Sequence, residues 1–155
     1  MIILDTNVLG ALMRTVPDAA VLEWLDRQPA DSVWITSITL FETRFGLAVL
    51  PAGRRRQVLE AAFDDLLREE LENRVLDFDS AAANAAASLA AARQESGRPV
   101  DMRDTQIAGI VLARRATLAI RNIRHFADLR ISIIDPWAPL IMRCRRSREG
   151  SFRVS

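Results

Sequence analysis

Short apolar runs alternate with longer amphipathic stretches along the chain. Ile2-Ile3-Leu4, Val33-Trp34-Ile35, Val75-Leu76, Thr117 to Ile120 and Ile131 to Ile134 read as strands. Between them, apolar positions recur at helical spacing. Residues 18–28 carry Val21, Leu22, Trp24 and Leu25 behind Asp18 as a cap, and Ser37 opens a helix to about Leu50, stopped by Pro51. Arg54 to Leu71 forms another, and Asp101 or Met102 to Arg115 a further one. Asp5-Thr6-Asn7 reads as an additional helix start. Residues 81–92 hold nine alanines in twelve positions, which favours helix until Gly97 and Pro99 break it. Short apolar strands separated by helices predict an α/β fold. The expectation is a three-layer domain: a central parallel sheet of about four or five short strands, flanked by helices. No linker or repeat interrupts the pattern. One domain is therefore expected over residues 1–140, closed near Asp135-Pro136-Trp137, with a basic tail over 141–155.

Composition narrows the chemistry. A chain of 155 residues, half of them hydrophobic, can bury one core but not two. There is no lysine and no tyrosine, so every basic side chain besides the single His125 is an arginine. Schiff-base and P-loop chemistry both need a lysine and are excluded. The lone Cys144 excludes an intrachain disulfide framework and a multi-cysteine metal site. Carboxylates remain as the main catalytic groups. The net charge of +1 divides unevenly: residues 143–155 carry five Arg and one Glu, leaving −3 on residues 1–142. The tail reads as a solvated terminus or a nucleic-acid contact. With no long apolar run, and with Asp5 interrupting the N-terminal one, a cytoplasmic protein is expected.

In parallel sheets, sites form at the carboxyl ends of strands. Asp5 follows the first strand directly, and Asn122 follows the strand from Thr117. Glu42 and Asp104 are expected in the first turns of their helices. Three acids and one amide, far apart in sequence, can then converge, and clustered carboxylates repel unless a cation sits among them. Oxygen ligands select Mg²⁺, or Mn²⁺ as substitute, over zinc. Each residue also has a local reading. Asp5 and Asp101 fit helix caps, Thr39 to Glu42 fits a capping box, and Asn122 fits a turn.

The opening Ile-Ile-Leu-Asp-Thr-Asn-Val-Leu, the segment Thr36 to Glu42, Asp104-Thr-Gln-Ile-Ala-Gly and Arg121-Asn-Ile-Arg-His-Phe126 occur in one order. Together they resemble the PIN-domain family. The close Asp135-Pro-Trp137 is similar to the VapC-type toxin branch, with its FitB-like members. The resemblance spans roughly residues 1–138. It implies that Asp5, Glu42 and Asp104 are metal ligands, that Asn122 is the fourth catalytic position, and that Thr6 and Asn7 support Asp5. It further implies a Mg²⁺-dependent endoribonuclease, the toxin of a type II toxin–antitoxin pair, leaving 5′-phosphate and 3′-hydroxyl ends. A homodimer and a small DNA-binding antitoxin, whose tail covers the acids, are the implied partners. The chain departs from the family pattern at Ile120, where a threonine is usual. Asn122 leaves three formal negative charges.

Other residues carry weaker expectations. Arg44 and Arg121 are candidates for phosphate contact, ahead of Arg54-Arg55-Arg56, which read as a solvated helix start. His125 lacks an identifiable carboxylate partner for general-base work. Trp24, Trp34 and Trp137 read as core or interface aromatics, and Arg14 and Arg27 as surface residues. The competing reading is a catalytically weak PIN-like binding protein that acts with an antitoxin as a DNA-binding repressor. A phosphoacceptor receiver would need a lysine, and a haloacid-dehalogenase-like phosphatase an aspartate where Asn7 stands.

Overall fold

The computed structural model describes residues 1–139; the expected tail at 141–155 lies outside the described residues. Five strands form one parallel sheet: β1 (Ile2–Leu4), β2 (Val33–Thr36), β3 (Val75–Leu76), β4 (Thr117–Ala119) and β5 (Ser132–Ile134), in the order β3-β2-β1-β4-β5. β1 is central, and its apolar sequence follows from burial on both faces. Ile3 and Leu118, adjacent in register, face one layer, while Leu4 and Ala119 face the other.

Helices α1 (Thr6–Leu12), α2 (Ala19–Asp26), α3 (Ser37–Ala48) and α4 (Arg54–Asp65) cover one face. There Val8, Leu9, Val21, Trp24 and Phe63 pack against Leu4 and Ile35. Helices α5 (Ser80–Glu95) and α6 (Met102–Arg114) cover the other, where Ile107 and Ile110 meet Ile3, Leu118 and Phe126. This is the three-layer α/β arrangement expected. No helix among the described residues is long and apolar enough to cross a membrane. Trp24 is buried and Trp34 partly so, as expected of core aromatics. Trp137, partly buried, packs against the apolar layer under α1–α4, and its indole Nε1–H donates to Asp18 Oδ2 at 3.0 Å. That bond ties the last described segment to the cap of α2 and is the main cause holding the Asp18 carboxyl below its ordinary range.

The local signals differ from expectation at two places. The helix expected from Arg54 to Leu71 ends as an α-helix at Asp65 and widens to i→i−5 hydrogen bonding over Leu66–Glu70, with Leu71 N–H reaching Leu66 O at 3.0 Å. That wider turn brings Leu71 into the core, and Glu72 and Asn73 then turn the chain with positive φ. At α3 the cap is Thr36, whose Oγ1 accepts from Thr39 N–H at 3.0 Å. Thr39 is therefore inside the helix, no capping box joins it to Glu42, and Glu42 sits in the second turn rather than the first.

The alanines of α5 have a packing role beyond propensity. A Cβ on Gly109 of α6 would lie 2.5 Å from the Ala82 carbonyl oxygen and 2.7 Å from Ala86 Cβ. The two helices touch backbone to backbone at that point. Gly109→Ala gains about 1 kcal/mol of helix propensity. The forced separation should still leave a net loss of about 2 kcal/mol, measurable by urea denaturation.

Candidate active site

The strand order places β2 and β3 on one side of β1, and β4 and β5 on the other. The β1/β4 boundary is thus the switch point at which parallel sheets open a crevice at their carboxyl edge. Asp5 stands in that crevice, its N–H donating to the Ala119 carbonyl at 3.0 Å. It caps α1, accepting from Asn7 N–H at 3.2 Å and from Asn7 Nδ2 at 3.1 Å. The cap and the site are the same carboxylate.

Burial pushes the Asp5 carboxyl above its ordinary range; the Asn7 and Thr6 amides oppose that shift, and the Glu42 and Asp104 carboxylates add to it. Asp104 is also raised, first by burial and then by Asp101, with a smaller push from Glu42 and an opposing pull from His125. Three acids from three elements are thus close enough to repel one another. Their immediate contacts differ. Thr6 Oγ1 donates to Glu42 Oε2 at 2.8 Å, so its hydroxyl supports Glu42, whereas Asn7 supports Asp5. Arg103 Nη1 lies 3.3 Å from Glu42 Oε1. Asp101 is the α6 cap, accepting from the Arg103 and Asp104 amides at 3.0 Å.

Asn122 reaches the cluster through His125. His125 Nε2 is 2.9 Å from Asn122 Nδ2, and Nδ1 is 3.2 Å from Asp104 Oδ2. The histidine therefore has the carboxylate partner that the sequence did not reveal. A local signal existed: Asn122 and His125 are three apart at a 3₁₀ turn (Ile123–Phe126), where such side chains stack. Arg103 gave no signal beyond its place in the first turn of α6.

The arginines divide differently from expectation. Arg44 is two residues from Glu42, hence on another face of α3, and its guanidinium pairs with Asp64 at 2.7 Å and covers the Phe63 ring at 4.7 Å. It is held in the α3–α4 contact, away from the acids. Arg121 lies 5.0 Å over the Trp137 ring and lines, with Asn122 and Arg124, an open groove of about 1010 Å³ along β5. Arg93 and Asp128 were missed altogether: Arg93 Nε and Nη2 each lie 3.0 Å from an Asp128 oxygen, and Nη2 also donates to the His125 carbonyl at 2.6 Å.

Ile120, just past β4, is 3% exposed and packs with Phe126 and Leu129, while its N–H donates to the Ile134 carbonyl. It is a core residue. Ile120→Thr would bury a hydroxyl in apolar surroundings and should cost about 1–3 kcal/mol in thermal or urea unfolding. No reduction in the Mg²⁺ concentration required for any cleavage activity is expected.

Among the described residues, no three His, Cys, Asp or Glu side chains are gathered tightly enough to hold a metal ion in this conformation. The donor chemistry nonetheless fits a hard divalent cation: three carboxylates and an amide oxygen, with two of the carboxyls raised first by burial and further by neighbouring carboxylates.

Comparison with known proteins converges on one family. Residues 2–131 match the PIN domain. The VapC ribonuclease Y4jK of Sinorhizobium fredii is 38% identical over 139 residues, covering 90% of this chain and 99% of that protein. The structure of FitAB bound to an IR36 DNA fragment superposes with a TM-score of 0.80 at 29% identity, over 90% of this chain and 97% of the matched chain. VapBC2 from Rickettsia felis, bound to a DNA fragment from its promoter, gives a TM-score of 0.72 at 25% identity, over 86% and 98% of the two chains. The strand order, the carboxylates at the β1/β4 crevice and these similarities together show that this chain belongs to the PIN domain family.

Proposed function

We propose that this chain is a Mg²⁺-dependent endoribonuclease, the toxin of a VapBC-like type II toxin–antitoxin pair. The observation that carries the reading is the buried Asp5 carboxylate at the β1/β4 carboxyl edge, with Glu42 bonded to the adjacent Thr6 and with Glu42 and Asp104 near enough to add to the effect of burial on Asp5. An acid raised chiefly by burial, with two further carboxylates adding to the shift, is a site whose charge balance improves when a cation joins it. The naming of a 38% identical relative as a VapC ribonuclease supports the same chemistry.

Asp5, Glu42 and Asp104 would hold the ion, with Mn²⁺ as a possible substitute, and Asn122 would stand beside them. When bound, such a cation polarises a phosphodiester oxygen and lowers the pKa of a bound water. The remaining work falls to the chain itself. Asn7 fixes the Asp5 carboxylate and Thr6 fixes Glu42, so neither has to be ordered when substrate arrives. Arg121 and Arg124, on the groove beside Asn122, supply positive charge for the RNA backbone.

An antitoxin partner is supported by the solved complexes of FitAB and VapBC2, both determined with DNA. It is supported too by α3 and its C-cap, which leave Phe41, Phe45 and Val49 exposed at helical spacing, the two rings stacked 6.0 Å apart. A partner chain, either the antitoxin or a second toxin subunit, accounts for an apolar stripe of that kind. The DNA in those complexes also keeps a second role open, as one component of a DNA-binding repressor assembly. The test is to incubate the purified full-length chain with RNA in Mg²⁺ and in EDTA. Cleavage in Mg²⁺ alone, leaving 5′-phosphate ends, is expected. Intact RNA in Mg²⁺, with promoter binding in the presence of the antitoxin, would leave only the repressor role.

A further inference from the structure

His125 presents a ring that is mostly exposed yet engaged at both nitrogens. A carboxylate only accepts hydrogen bonds and an amide nitrogen only donates. Both contacts are therefore hydrogen bonds in one tautomer: Nδ1–H donating to Asp104, and bare Nε2 accepting from Asn122 Nδ2. In that arrangement Asp104 is held in one rotamer, and Asn122 commits its N–H to the imidazole. The amide oxygen of Asn122 is then the atom left to meet a cation or a phosphate-bound water. The bare Nε2 thereby selects the oxygen of the amide over its nitrogen as the free end.

The backbone beneath the ring is tied to the core. Arg93, 6% exposed at the end of α5, donates to the His125 carbonyl at 2.6 Å and grips both oxygens of Asp128. Phe126, next in sequence, is fully buried. The 3₁₀ turn is pinned from the core side while its histidine ring stays outside the packing. A ring that contributes little to the core but bridges two site residues is placed for orientation.

We infer that His125 is a positioning residue, setting the Asp104 carboxylate and the Asn122 amide in register, and that Arg93 fixes its place through the 3₁₀ turn. This rests on the nuclease reading above. Outer hydrogen bonds to ligating groups typically change metal affinity or activity about 10- to 100-fold.

The experiment uses the full chain with Mn²⁺ alone, bound-ion signal being read by electron paramagnetic resonance, alongside steady-state RNA cleavage. His125→Ala should bind Mn²⁺ about 10- to 100-fold more weakly and lose kcat by a similar factor, with KM for RNA little changed. His125→Asn, whose amide reaches about as far as Nδ1, should recover most of the Mn²⁺ affinity. Arg93→Lys, assayed at a temperature where circular dichroism shows it folded, should lose kcat without a matching change in KM. A wild-type chain that binds Mn²⁺ and cleaves RNA, matched in both by His125→Ala, would overturn the positioning role alone. Arg93→Lys with wild-type kcat would overturn its part. A wild-type chain that neither binds nor cleaves would overturn the nuclease reading and this one with it.

Discussion

Asp5→Asn is expected to lose metal-dependent RNA cleavage by a factor on the order of 1,000 or more while melting at a higher temperature than wild type in EDTA. The two effects have one cause. Asparagine caps a helix about as well as aspartate, so α1 keeps its start and the fold is retained. What disappears is a buried negative charge that Glu42 and Asp104 repel. Transition-state stabilisation worth several kcal/mol depends on that charge when a cation is present, and each 1.36 kcal/mol is about tenfold in rate. The pH dependence has a definite sign. Asp5 and Asp104 have carboxyls raised in the folded state, so ionising them at neutral pH costs stability, and the folded chain regains it as pH falls through their raised range. The gain from Asp5→Asn should therefore be largest near neutral pH and shrink on acidification. Asp104→Asn should lose cleavage similarly, with a smaller stability gain, because Asp104 also accepts a hydrogen bond from His125. Thermal melts in EDTA at several pH values, beside cleavage in Mg²⁺, check both halves.

The second large effect lies in the fold. Arg93→Met should lower the unfolding free energy by about 3 kcal/mol, the low end for breaking a buried pair, because Asp128 keeps some access to solvent. For a chain of this size the melting temperature should fall by roughly 10 °C. Methionine fills much of the arginine stem's volume, so the loss reports the missing guanidinium: its two bonds to Asp128 and one to the His125 carbonyl. Asp128, held below its ordinary range chiefly by Arg93, gives the opposite sign to Asp5. Its contribution is present at neutral pH and is lost as pH falls through its lowered folded-state range, so wild type and Arg93→Met should converge in acid. Adding Asp128→Leu should restore part of the loss, since an apolar pair strands no charge. Urea unfolding of the single and double variants measures the coupling.

The contrast between these residues also marks what can be read from a sequence. β1 and β4 were legible because strands buried on both faces are uninterrupted apolar runs, and Asp5 was legible because it ends one of them. Caps at Asp18 and Asp101 were legible because they act on the next few amides. Glu42 was found but placed a turn too early, since Thr36 and Thr39 both fit a cap and only the backbone decides between them. Arg93–Asp128 has no local signature: the partners are 35 residues apart, and an arginine in a helix's last turn looks like an ordinary dipole partner. Arg44 misled for a related reason, because proximity in sequence to Glu42 says nothing about which face of α3 it occupies. The role of Gly109 was equally hidden, since a close helix contact depends on residues of α5 that read only as helix formers.

The claim beneath these expectations is that Asp5, Glu42 and Asp104 together hold one divalent cation. The most direct measurement is anomalous diffraction from crystals of the full-length chain soaked in Mn²⁺. An anomalous peak is expected within coordination distance of oxygens from Asp5, Glu42 and Asp104 at the β1/β4 crevice, absent in Asp5→Asn crystals under the same soak. A peak bound elsewhere on the chain, or none at saturating Mn²⁺ in crystals of active wild-type protein, would contradict it.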